Sequence, residues 1–268
     1  MRTLLLRQLR DRRSSVIGWT LGWLILISMY VATWPTVKNH GKQYDEILRD
    51  LPAAMRSAVG GANGSAFSSP AGYFTAELLA VTGPILVLTM GVLLGSGALA
   101  KDEEDGSLEV ILAQPVSRTS VLVARFGEGL VEMLGVLALA GLSLYALGSA
   151  VDLHLSLGSC LQATAMLALL GIEGMTLGLL VAALTGRTSR ARALTGAVGL
   201  IVFLLNALGP SISWLADLVV LSPFHTLLKS DPFRHVVPAG TVVTLVLPSL
   251  AFVFIAAWAF RRRDLRFH

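Results

Sequence analysis

Long apolar stretches alternate with short polar ones along the whole chain. Six of them, at about 16–34, 78–100, 121–147, 157–184, 193–208 and 237–260, reach or approach the roughly 20 residues that a helix needs to cross a bilayer. None shows the period-two alternation of a membrane β-strand, and all are too long to be one. The pattern predicts an all-α polytopic membrane protein with six transmembrane helices. The fifth stretch is irregular, because Gly209-Pro210 interrupts it after Leu208. A second apolar piece, 212–221, follows at once and is too short to span. It reads either as a helix on the membrane surface or as a re-entrant turn buried among other helices.

The polar segments differ in character. Residues 1–14 form an amphipathic, interfacial helical lead-in: Leu4, Leu5, Leu6 and Leu9 can face lipid while Arg2, Arg7, Arg10, Arg12 and Arg13 reach headgroups. A secretory signal peptide is the alternative for this segment. The apolar run is longer than a signal core, no small-x-small site precedes Pro35, and five further spans follow. The longest connection, 35–75, contains a helical-looking stretch at 44–58 and a flexible turn, Gly60-Gly61-Ala62-Asn63-Gly64-Ser65. Asn63-Gly64-Ser65 has the form of a glycosylation acceptor, a triplet frequent by chance. No internal repeat interrupts the pattern, so 1–268 reads as a single membrane domain.

Composition narrows the class. Of 268 residues, 54% are hydrophobic and 14% charged, with a mean hydropathy of +0.71. So few polar side chains could not cover a soluble globule, and so apolar a chain is not disordered. Cys160 is the single cysteine, which excludes an intrachain disulfide framework. The placement of the charges then gives direction. Six spans put both termini on one side, and that side holds 15 of the 21 Lys and Arg, including Lys101, Arg118, Arg125, Arg187, Arg190, Arg192 and the Arg261-Arg262-Arg263 run with Arg266. The other side holds Lys38, Lys42, Arg49, Arg56, Lys229 and Arg234. The excess of positive charge marks the cytoplasmic side, so both termini are expected there. The net charge of +4 then reflects topology and contact with anionic lipid, not nucleic-acid binding.

The connection between the second and third spans, 102–118, is the most informative. Asp105-Gly106-Ser107 signals a helix start, with acidic residues placed to favour the dipole. A short helix follows with Leu108, Ile111 and Leu112 on one face and Glu109 on another. Gln114-Pro115 stops it, and Ser117 or Thr119 can cap the third span. Five of the 17 acidic residues lie in 102–109. On these residues alone the segment is either a linker between spans or a docking element for a soluble partner.

The run Glu104-x-Gly106-Ser107-Leu108-Glu109-x-Ile111-Leu112-x-x-Pro115-Val116-Ser117-Arg118 resembles the E-x-G-[ST]-L-E-x-[IL]-L-x-x-P-[VI]-[ST]-R stretch of ABC transporter permeases of the type-2 exporter class. There it forms the coupling helix between the second and third spans, and the six-span layout is similar over the whole chain. The resemblance implies a permease subunit that couples through 106–115 to a separate ABC ATPase, two copies per complex, beside a second permease that is identical or homologous. It implies a bacterial inner (plasma) membrane setting, no cofactor in this chain, and ATP and Mg bound by the partner ATPase. Many family members carry their large outer elaboration between the fifth and sixth spans. Here the longest lies between the first and second, as in subgroups that resemble drug, antibiotic and copper-assembly exporters.

The chain has no ATPase site of its own. Gly95-Ser96-Gly97-Ala98-Leu99-Ala100-Lys101-Asp102 lacks the second glycine and the Ser/Thr of a phosphate loop and ends a span instead of following a strand. His40, His154, His225, His235 and His268 are scattered without metal-ligand spacing, and no serine sits in a nucleophile elbow. Cys160 reads as a packing residue. The remaining candidates are acids within spans. Glu128 and Glu132 lie one turn apart with Arg125 one turn before them, which suggests a shallow ion-pair cluster. Glu173 sits mid-span, where a carboxylate costs at least ~2.5 kcal/mol and must face protein or water. It reads either as a satisfied interhelical hydrogen bond or as a cavity-lining group for a cationic substrate. Glu77 is expected to cap the second span. Two other functions are compatible with these acids and helices: an ion-coupled secondary transporter, or a non-transport anchor for a cytoplasmic partner.

Overall fold

The computed structural model describes residues 2–51, 66–209 and 212–263, and every regular element among them is helical. Asn63-Gly64-Ser65, residues 52–58 of the expected helical stretch, Pro210 and Arg266 lie outside the described residues. Helix α1 (Arg2–Asp50) is followed by α2 (Pro70–Gly97), two short helices α3 (Ala100–Glu104) and α4 (Ser107–Leu112), and three long helices, α5 (Arg118–Ser149), α6 (Leu157–Thr185) and α7 (Thr188–Leu208). Two short helices, α8 (Ser213–Val219) and α9 (Pro223–Ser230), precede the last, α10 (Ala239–Arg262). Six segments are long and apolar enough to cross a membrane: Arg13–Gly41 within α1, then α2, α5, α6, α7 and α10.

Helix α1 departs from the sequence pattern. It runs without a break from the lead-in through the span and past Pro35, so the 35–75 connection shrinks to the residues between Asp50 and Pro70. At 49 residues it is about 74 Å long, far more than a bilayer core. Proline removes one donor from a helix interior and usually ends or kinks it. Here packing holds the helix together around it. Tyr30, Val31, Trp34 and Val37 are all buried. Tyr73, from the first turn of α2, donates its hydroxyl hydrogen bond to the Tyr30 carbonyl at 3.3 Å and packs edge-on against the Tyr30 ring.

Helix α2 begins at Pro70, earlier than its apolar run suggested, because Ser69 caps it by accepting a hydrogen bond from Gly72 N at 3.1 Å. Glu77 is therefore not the cap. It lies inside a π-helical stretch, Thr75–Thr82, in which Gly83 N reaches back to the Leu78 carbonyl. Pro84 just beyond the stretch has no N–H to give, and Thr82 donates its hydroxyl to the Glu77 carbonyl, so side chain and proline together favour the wider turn.

The core centres on α6. In its apolar window 61% of residues are buried, against 17% for α7, so α6 is the pillar and α7 a peripheral helix facing lipid. Helix α2 lies along α6 at glycine positions: an added Cβ at Gly91 would meet the Gly171 carbonyl, and one at Gly95 the Met175 carbonyl. The two backbones approach that closely because no side chain stands between them.

At the end of the bundle away from α3 and α4, Gln162 of α6 ties down the segment after α9. Its amide donates to the carbonyls of Pro232 at 2.9 Å and His235 at 2.7 Å, and accepts from Val237 N at 3.3 Å. Phe224 and Leu227 of α9 are buried against the spans. The 212–221 piece behaves differently. Trp214, Val220 and Leu221 are exposed, so protein does not enclose it, and the inserted element is α9 instead.

Candidate functional site

The end of the bundle that carries the end of α10 gathers the residues singled out in 102–118. Asp105 closes α3, and Gly106 turns the chain with φ of 70°, the left-handed conformation that glycine adopts at no steric cost. Helix α4 then starts at Ser107, which serves as a bridge: its hydroxyl donates to the Asp102 carbonyl at 3.2 Å and the Asp102 carboxylate at 3.3 Å. The expected start signal is thus a glycine hinge between two helices, with Asp105 on the α3 side. Ser117 caps α5 through Ser120 N at 3.1 Å, and Thr119 falls inside α5.

Helix α4 has two faces. Leu108 is 2% exposed, and with Ile111 and Leu112 it packs on Leu99, Leu122 and Phe260. The opposite face shows Val110, at 51% exposure, and is continued by Ala113, Gln114, Pro115 and Val116. Glu109 is half-buried. The sequence placed the apolar face correctly, but that face is internal. The accessible surface is the other one, and it too is largely apolar.

The acids of α3 each hold a different element. Asp102 pairs with Arg125 of α5 at 2.7 Å. Glu103 forms an ion pair with Arg263 at the end of α10. Glu104 accepts a hydrogen bond from Thr188 N at 2.9 Å, where a carboxylate meets the positive end of the α7 dipole. Arg118 donates to the carbonyls of Phe260 at 3.3 Å and Arg263 at 2.7 Å. Burial pushes the Asp102 carboxyl up, opposed by the Arg125 guanidinium and the Ser107 hydroxyl. Sequence reasoning named Glu104 and Arg118 but not Asp102, Glu103 or Arg263. The pairs lie 160 residues apart at most, and nothing local in the sequence announces them.

Of the acids expected within spans, Glu128 pairs with Arg125 at 3.3 Å, as its spacing suggested. Glu132 is 6% exposed and accepts a hydrogen bond from Ser15 of α1 at 2.8 Å. Arg125 therefore joins Glu128 to Asp102, while Glu132 links α5 to α1. Glu173 stands apart from all of these. It lines a cleft of about 900 Å³ between α2, α6, α7 and α10. Its carboxylate has neither an ion pair nor a hydrogen bond among the described residues. Cys160 is a buried free thiol, in keeping with a packing role.

Six spans around a central α6, joined at one end by a tethered two-helix linker, define a multi-pass helical membrane protein. The family model for the ABC-2 family transporter proteins matches residues 2–265, nearly the whole chain, and the chain belongs to that family. It is accordingly a membrane permease component of an ABC transporter, a transmembrane subunit and not itself the ATPase. Of the functions compatible with the sequence, the membership supports this one over an ion-coupled carrier or an anchor. No curated protein matches the chain significantly.

Proposed function

We propose that this chain is the permease of an ATP-driven exporter, with α3, α4 and both termini in the cytoplasm. In this reading it forms half of a translocation path beside a second permease, identical or homologous, and two ATPase subunits bind ATP and Mg. The observation that carries the proposal is the two-faced α4. Its inner face is anchored by Leu108, and its outer face presents Val110, Ala113, Gln114, Pro115 and Val116 at the end of the bundle. An apolar surface rimmed by the polar groups of Asp105 and Gln114 suits a protein partner.

The acids of α3 supply the transmission. A push on α4 passes through the Ser107–Asp102 contact to Arg125 on α5, while its neighbours Glu103 and Glu104 engage α10 and α7. Movement at the docking surface is thereby shared among three spans. Glu104, Gly106, Ser107, Leu108, Glu109, Ile111, Leu112, Pro115 and Arg118 have different tasks in this account. Leu108, Ile111 and Leu112 seat α4, Gly106 sets its angle, Pro115 ends it, Glu104 ties α3 to α7, Arg118 ties the start of α5 to the end of α10, and Val110 with its neighbours meets the ATPase. The basic residues at this end, the Arg187, Arg190 and Arg192 group among them, support the cytoplasmic placement.

The test is co-purification of the chain with its ATPase from cells expressing both. Val110→Glu places a charge on the contact surface without touching the inner face. It should lower ATPase recovery at least tenfold while the permease stays folded. Undiminished recovery would refute docking at this surface.

A further inference from the structure

We propose that the cleft between α2, α6, α7 and α10 binds a lipophilic monovalent cation, with Glu173 as the counter-ion. The inference deepens the transport reading by naming a ligand class, but the site is complete in one chain and needs no ATPase. Its volume, about 900 Å³, is that of a pocket for a drug-sized molecule. The walls are almost wholly apolar. Phe203, Phe224 and Phe252 line the cleft, and aromatic rings attract cations as well as hydrocarbon.

The polar groups of the wall are nearly all spoken for. Thr89 donates its hydroxyl to the Ile85 carbonyl at 2.7 Å, Thr226 to Ser222 at 3.4 Å, and Thr244 to Thr241 at 2.7 Å. What remains is the Thr195 hydroxyl, buried without a hydrogen-bond partner among the described residues, and the Glu173 carboxylate, the one acidic group among the lining residues, about 18 Å along α6 from Thr185 and about 24 Å from Leu157, hence near mid-membrane. Arg192 is the only other charged residue in the wall. It lies in the first turns of α7, at the basic end, and among the described residues no ion pair joins it to Glu173. A cation entering from that end meets a like charge. One arriving from the bilayer does not, and Ile85, Val198 and Leu200 on the rim are all lipid-exposed, which leaves that side open. The cleft therefore favours a molecule that partitions into the bilayer and bears one positive charge. An acyl chain would fill the apolar volume but leave the carboxylate unmatched. A neutral solute would do the same.

The test uses the full chain in lipid nanodiscs without ATPase, with tetraphenylphosphonium as the cation and tetraphenylborate as its anionic counterpart of the same shape. Saturable binding of tetraphenylphosphonium is expected, weakened at least tenfold by Glu173→Gln and largely retained by Glu173→Asp. Tetraphenylborate should show no saturable binding that depends on residue 173. A second variant guards against misfolding. Gly196 lines the cleft and an added Cβ there would meet nothing within 4 Å, so Gly196→Leu fills the space without disturbing the core. It should also weaken the cation at least tenfold. Equal cation affinity in folded Glu173→Gln, undiminished binding in Gly196→Leu, absence of saturable binding, or equivalent binding of the anion would each overturn the proposal. Because no ATPase is present, any of these results leaves the docking reading untouched.

Discussion

Replacing Gly95 by alanine should separate the two most intimately packed spans. A Cβ at Gly95 would stand 2.8 Å from the Met175 carbonyl carbon and 3.0 Å from Leu179 N, and closer still to the Met175 oxygen. These are backbone atoms of α6 and cannot rotate away. Restoring an ordinary separation of about 3.5 Å from that carbon requires a shift of at least ~0.7 Å, and the oxygen demands more. A gap of that size forfeits about a quarter to a half of each dispersion contact along the shared face. Overpacking of this kind costs about 1–3 kcal/mol. Gly135 on α5 is the control, since a Cβ there meets nothing within 4 Å. Gly135→Ala should be neutral or stabilising by up to ~1 kcal/mol, the difference in helix propensity. Unfolding midpoints in detergent or bicelles, followed by circular dichroism with rising dodecyl sulfate, measure both. Indistinguishable midpoints for Gly95→Ala and Gly135→Ala would refute the close-approach argument.

Three further outcomes are expected. Gln162→Ala removes three hydrogen bonds that hold residues 232–237, and at about 1 kcal/mol each should lower stability by ~2–3 kcal/mol and speed proteolysis after α9. Glu103→Gln breaks a pair whose side chains are 10% and 18% exposed, and should cost about 2–3 kcal/mol; in a double-mutant cycle with Arg263→Gln, additive losses would show that the two are not coupled. Burial and the neighbouring Lys229 hold His225 below its ordinary value, so its contribution is present above about pH 6.5 and is lost as pH falls through the folded-state value. Thermal midpoints measured from about pH 7 down to about pH 5.5 should therefore fall more steeply for the native chain than for His225→Gln, and parallel curves would exclude His225 as the cause.

The parts of this fold that could be read in advance depend on short-range pattern. Apolar length located six spans, because lipid leaves the backbone little choice but a helix. The α4 face of Leu108, Ile111 and Leu112 followed from helical spacing, as did the Arg125–Glu128 pair. The misreadings come where tertiary packing outweighs a local signal. Pro35 looked like the end of a span, yet Tyr73 and its aromatic neighbours carry α1 past it. Glu77 looked like a cap, but Ser69 performs that role and a π-helical turn absorbs the acid. The ties from Asp102, Glu103 and Glu104 to α5, α10 and α7 join distant residues, so no window of sequence contains both partners. For the proposed docking surface, periodicity identified an apolar face but not which way it points. That required Phe260 and Leu122 to be seen beneath it.

The most direct test of the account is a contact measured in the assembled transporter. A photo-crosslinking amino acid at Val110 should capture a P-loop ATPase subunit in intact cells. The same group at Val236, exposed at the far end of the bundle, should capture none. Capture from Val236, or no ATPase adduct from Val110 in cells that contain the complete complex, would contradict the assignment of α4 as the element that receives the ATPase.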